Sequence, residues 1–175
     1  MKYLVVSDIH GASDSASFIA EKFKNGGFDY ILCLGDVLYH GPRNDLPFSY
    51  NPKEVIGILN PLSDKIICVK GNCEAEVDQM VLNFKIHDYY DFKLNNLFVH
   101  LEHGHHLDEY DGDADIILSG HTHVPLIEKI DEQIFINPGS ITIPKNSSKR
   151  GYAILDDKAL TLYTIDDEIV KSIKF

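Results

Sequence analysis

Five short segments carry side chains suited to holding divalent cations: Asp8-Ile9-His10, Gly35-Asp36, Gly71-Asn72, His103-Gly104 and Gly120-His121-Thr122-His123. Together they supply two aspartates, one asparagine and four histidines, so every candidate donor is an oxygen or an imidazole nitrogen. No cysteine cluster accompanies them, which disfavours structural zinc of the finger kind. Carboxylate with imidazole suits Mn, Fe, Zn or Ni, and donor type alone does not choose among these. Seven donors are too many for one tetrahedral ion. They suit two ions sharing a carboxylate, the arrangement that clamps an in-line displacement. Taken singly, an Asp-x-His or His-x-His would more often be a helix cap or a surface pair.

The strands in front of these segments must bring them together. Residues 2–6, 30–34, 66–69, 97–101 and 116–118 are short apolar runs, and each leads into one of the five segments. In open α/β sheets the carboxyl ends of the strands share one edge, and ligands bind there. Glycine recurs beside the candidates, as expected where backbone turns sharply near a ligand. Helical patterns between the first three strands imply parallel β-α-β units. The spacing predicts a helix over 14–24, capped by Ser13 or Asp14 and stopped by Gly26-Gly27. A second helix is expected over 52–59, capped by Asn51 with Pro52 at its first position, and a third over 74–82. Later strands at 126–130, 134–136, 152–155, 160–165 and 169–173 are joined by acidic turns. They suggest a second, mainly antiparallel sheet packed on the first. With no repeat, low-complexity tract or linker, residues 1–175 read as one α/β domain.

The 44% hydrophobic and 25% charged composition is that of a soluble globular protein. Net charge is -11, from 27 acidic and 16 basic residues. Such a chain gains nothing from the phosphate attraction behind most nucleic-acid binding, so no nucleic-acid partner is expected. A phosphate ester remains compatible, provided bound cations reverse the local field. The first apolar run is too short for a signal peptide, and no segment reaches membrane length. Three cysteines are an odd count, and Cys33 and Cys68 lie in apolar runs as buried thiols would. The cytoplasm is the expected compartment.

The ordered set Asp8-x-His10, Gly35-Asp36, Gly71-Asn72, His103-Gly104 and Gly120-His121-x-His123 resembles the signature of the calcineurin-like metallophosphoesterases, from residue 4 to about residue 144. The longer strings Gly35–Asn44, Gly71-Asn72-Cys73-Glu74 and Asn137–Lys145 are similar to the bacterial YfcE-type phosphodiesterases. The resemblance implies a four-layer α/β/β/α sandwich of two mixed sheets, with a dinuclear site at the carboxyl ends of the strands. It implies that Asp8, His10 and His123 bind one metal, that Asn72, His103 and His121 bind the other, and that Asp36 bridges both. It also implies Mn as the cofactor and self-association into a homo-oligomer. The expected activity is hydrolysis of small or activated phosphodiesters by a hydroxide formed at the two metals. Asp36, Asn72 and His105 are the catalytic candidates. Asn72 is informative because a neutral amide leaves more positive charge on its metal than a carboxylate would. Cys73 departs from the wider family, where many members carry histidine after the asparagine. That histidine usually assists the leaving group, so a phosphomonoesterase is the second reading and a catalytically silent protein-binding scaffold the third. His105 and His40 could touch substrate or protonate the leaving group, or be plain loop histidines. Arg43 reads as surface, Glu74 as the acidic first residue of a helix with no chemistry, and His87, His100 and His106 as structural or surface.

Overall fold

The computed structural model describes all 175 residues, Met1–Phe175. Two sheets pack against each other. At the centre of the first, β1 (Tyr3–Val6), β2 (Tyr30–Cys33) and β3 (Ile66–Val69) run parallel, with Val6 paired to Cys33 and Cys33 to Cys68. All of β1 is buried, as expected of a strand covered on both faces. Its pleat divides the side chains. Leu4 and Val6, with Ile31 and Cys33, pack on Ile19 of α1 (Ser13–Gly26) and on Val55 and Leu59 of α2 (Pro52–Leu59). Tyr3, Val5, Leu32 and Leu34 form the other core, against Val99, Leu101, Ile116 and Leu118 of the second sheet.

That second sheet has the order β5-β6-β7-β9-β8. Parallel pairs join β6 (Leu97–Leu101) to β7 (Ile116–Leu118) and β7 to β9 (Gln133–Pro138); antiparallel β5 (Tyr90–Leu94) and β8 (Pro125–Ile130) flank them. Both sheets are therefore mixed. The expectation of one mainly antiparallel sheet from residue 126 onward is corrected, because those strands divide between the sheets. Only β8 and β9 join the second sheet, while β10 (Gly151–Leu155), β11 (Ala159–Thr164) and β12 (Ile169–Lys174) extend the first from β1. Acidic turns mark local hairpins correctly but say nothing about which open edge a hairpin joins. The 139–150 segment carries the chain from one sheet to the other and passes the strand ends on the way.

The helices cover the first sheet. The outer face of the second is covered by residues 102–115, with one 3-10 turn at Leu107–Glu109, so the fourth layer of the sandwich is thin. Asn51 caps α2 by accepting from the Glu54 N–H, as expected. At α1 the cap is Ala12 with no side-chain bond, and Ser13 is already helical. Backbone pairing does the work instead: Ala12 bridges Tyr50, and the Ser13 N–H reaches the Ser49 carbonyl at 3.0 Å. The third helix, α3, spans only Glu76–Val81, because Glu74 is drawn into the site. Two strands escape the sequence patterns, β4 (Ile86–His87), which is too short to show a period, and β5, whose Tyr-Asp-Phe-Lys-Leu alternation was a usable signal. No helix is long and apolar enough to cross a membrane.

Candidate metal centre

The loops after β1, β2, β3, β6 and β7 converge on one edge. Asp8, His10, Asp36, His121 and His123 all adopt left-handed backbone, with φ between 49° and 66°. Such residues cost on the order of 1–3 kcal/mol each and persist only where the surroundings hold them. Here cross-loop bonds do so: the Asp8 N–H donates to the Gly35 carbonyl at 3.1 Å, His10 to Asp36 at 2.8 Å and Gly120 to His103 at 2.8 Å. Close approach fixes two glycines. A Cβ on Gly35 would lie 2.6 Å from the Gly71 nitrogen, and one on Gly120 would lie 1.9 Å from Ser7 Oγ.

The donors fall into two groups. In the first, His123 Nε2 lies 3.2 Å from both Asp8 Oδ1 and His10 Nε2. In the second, Asn72 Oδ1 lies 3.1 Å from His103 Nε2 and 2.7 Å from His121 Nδ1. Asp36 Oδ2 stands between them, 3.6 Å from His10 Nε2 and 3.4 Å from His103 Nε2. Its Oδ1 is occupied by the Cys73 N–H at 2.9 Å, which leaves Oδ2 to face both groups.

Three imidazoles are oriented from behind. His10, His103 and His123 each place Nδ1 against a backbone carbonyl, of Tyr39 at 2.9 Å, Leu34 at 2.6 Å and Ile143 at 2.8 Å. A carbonyl only accepts, so Nδ1 carries a proton and Nε2 is the nitrogen left to serve as a metal ligand. His121 differs by turning Nδ1 inward. The supporting residues include several that sequence reasoning left without a role. Asn137 Nδ2 donates to the Gly120 carbonyl at 2.5 Å, and Ser140 Oγ donates to the Asp8 carbonyl at 2.9 Å. Glu74 accepts from the N–H groups of Asp36 at 2.9 Å and Val37 at 2.5 Å, and from that of Gly71, so it ties the β2 and β3 loops together. This corrects its reading as a helix-opening residue. The Asn137-Pro138-Gly139-Ser140 string and the acid in Gly71-Asn72-Cys73-Glu74 were the available signals.

The edge has the electrostatics of a cation site. Both Asp8 carboxylate oxygens are buried and accept no hydrogen bond. Burial works to raise the Asp8 pKa, yet the contacts with His10 and His123 hold it below the usual range. Burial lowers His103, but the neighbouring Asp36 and Asp8 carboxylates outweigh it and bring it up to about 9. Burial, then the Asp36 charge, pushes Glu74 up to about 7 and the Cys73 thiol up to about 12. Buried carboxylates crowded against imidazole nitrogens are a donor set suited to divalent ions. Asp8 with His10 and His123, and Asp8 with Asp36 and His103, each bring three donor atoms within 4.8 Å. His10, Asp36 and Cys73 form a third such group, but a protonated thiol is a poor ligand.

A small pocket of about 30 Å³ opens over Asp36, Asn72, His121 and His123, and Arg43 and Lys145 also line it. Arg43 is exposed, as expected, yet sits at the mouth, and Lys145 beside it had no assigned role. His40 is not in that lining; it packs edge-on against Tyr39 and Tyr50. His105 lies beside the cluster, its ring centroid 5.5 Å from His103 and 6.1 Å from His121, and lines a larger adjacent cavity.

Residues 1–159 match the Calcineurin-like phosphoesterase superfamily domain. The chain belongs to that superfamily. It is 38% identical to Phosphodiesterase YfcE of Escherichia coli strain K12 over 175 residues, covering 97% of this chain and 95% of the relative. The solved structure of YfcE, described as a phosphoesterase from E. coli, superposes with a TM-score of 0.94 over 99% of this chain and 98% of that one. A probable metallophosphoesterase of Bacillus subtilis strain 168, YsnB, is 28% identical over 168 residues, 89% of this chain and 83% of the relative. Vacuolar Protein Sorting 29 from Cryptosporidium parvum shares the fold at 19% identity, with a TM-score of 0.68 over 99% and 97% of the two chains. As a member of this superfamily the chain is an enzyme, a hydrolase of phosphoric esters.

Proposed function

We propose that the chain is a metal-dependent phosphodiesterase that hydrolyses small or activated phosphodiesters at a dinuclear site. Asp8, His10 and His123 would hold one ion, Asn72, His103 and His121 the other, and Asp36 both. One observation carries the reading: Asp36 Oδ2 lies 3.6 Å and 3.4 Å from the nearest donor of each group while Oδ1 is tied to backbone. The carboxylate and imidazole donors fit Mn, the metal favoured here, and also Fe, Zn or Ni. When bound, two such ions supply acidified water and neutralisation of the phosphoryl oxygens in an in-line displacement.

The chain's own residues do the rest. Nδ1 bonds fix the three imidazoles so that little reorganisation is needed when the ester arrives. Arg43 and Lys145 line the mouth and offer the approaching anion two positive charges in a protein of net charge -11. No imidazole stands at the position of Cys73, and a thiol is a poorer proton donor to a departing alkoxide than an imidazolium. The rate should therefore follow the leaving group's own acidity. Steady-state kinetics with Mn should show aryl diesters cleaved readily and alkyl monoesters slowly, with Cys73→Ser changing aryl-diester turnover only slightly. Preference for the alkyl monoester, or collapse of aryl-diester cleavage in Cys73→Ser, would contradict this reading.

A further inference from the structure

On the outer face of the five-stranded sheet, under residues 102–115, lies a cavity of about 410 Å³. Its wall carries six carboxylates, Asp88, Asp91, Glu102, Glu109, Asp111 and Asp113, and no lysine or arginine. Carboxylates alone would mark a solvated rim. A second observation makes this one different. His100 is 5% exposed, and its Nδ1 is engaged by Asp91 at 2.7 Å, while Nε2, on the side of the cavity-lining Glu102 at 3.9 Å, meets no partner. Glu102 Oε1 is likewise buried and unpaired. Tyr110 and Tyr89 lie against the same imidazole, 4.3 Å and 5.7 Å between centroids.

This lining selects among ligands. An anion is repelled by the six carboxylates of the wall. A divalent metal needs several converging donors, and no group of three metal-capable atoms comes together in this cavity. A neutral aryl group would gain stacking but nothing from the carboxylates. An organic cation gains from both, because ammonium groups are attracted to carboxylates and to the faces of aromatic rings. The cavity also reaches the catalytic edge. His103, which lies 3.1 Å from Asn72, lines it, and so does His105, whose ring centroid is 6.1 Å from that of His121.

We propose that this cavity is the subsite for the ester arm that stays on phosphorus and that it takes an organic cation, so that the favoured substrates are zwitterionic diesters bearing an amine or quaternary ammonium on a short arm. The substrate assignment rests on the phosphodiesterase reading above; the cation preference of the cavity does not. The test compares para-nitrophenyl phosphorylcholine with its dimethylbutyl counterpart, in which carbon replaces the quaternary nitrogen at the same shape. The cationic ester should be favoured about tenfold in kcat/KM, the lower end of what a cleft lined by one sign of charge supplies. The double variant Asp111→Asn/Asp113→Asn, at two exposed positions, should cut that ratio severalfold, as should Glu102→Gln. Equal kcat/KM for two cleaved esters overturns the cation subsite and leaves the phosphodiesterase reading standing. Should neither ester be cleaved, the phosphodiesterase reading fails separately, and calorimetric titration of choline into the Mn-loaded protein decides the cavity. Saturable binding weakened in the double variant supports the subsite, and no binding overturns it.

Discussion

Asp36 faces both donor groups at the strand ends. Its Oδ1 accepts from Cys73, its Oδ2 faces both donor groups, and its own N–H is held by Glu74. Asp36→Asn keeps the shape but removes the charge shared by the two halves of the site. It should lower turnover of an aryl diester by roughly 10²-fold or more, as expected when several kcal/mol of charge stabilisation is weakened. His40→Ala and Arg43→Ala should cost much less, because one ring packs on tyrosines and the other side chain only borders the pocket. Equal impairment of the three variants in parallel kinetic assays would remove the bridging role. The convergence of Asp8, His10, Asp36, Asn72, His103, His121 and His123 was legible in the sequence because each lies just beyond an apolar run. The supporting roles of Glu74, Asn137 and Ser140 were not, since they act on backbone N–H and carbonyl groups, and the strings that contain them do not say which backbone group each side chain reaches.

At the scale of elements, the site depends on loops pressed closer than side chains normally permit. The loop after β7 meets the loop after β1 at Gly120, where a methyl group would lie 1.9 Å from Ser7 Oγ and 3.0 Å from Asp8 Oδ2. Gly120→Ala should therefore separate His121 and His123 from Asp8, weakening Mn binding about 10- to 100-fold, the usual cost of disturbing the support of metal ligands. Calorimetric Mn titration of this variant checks it, and wild-type affinity would show that the contact is slack. Strand positions were largely legible, since β3, β6 and β7 begin and end where their apolar runs do. Sheet membership was not. Val5 pairs with Ala153 across most of the chain's length, and periodicity carries no information about such distant pairings.

For the molecule as a whole, net charge of -11 and buried, crowded Asp8 and Asp36 make the metal-free state electrostatically costly. Bound Mn should stabilise the fold by about 2.7 kcal/mol at a hundredfold excess over Kd. That corresponds to a rise in Tm of roughly 5–10 °C for a chain of this size. An unchanged midpoint on adding Mn would count against tight binding. The central claim, that one edge of this sandwich holds two ions through a shared Asp36, has its most direct test in metal stoichiometry. Native mass spectrometry of the stripped protein after titration with Mn should show two ions per chain. Saturation at a single ion, or at none, with all seven donors intact would contradict the account.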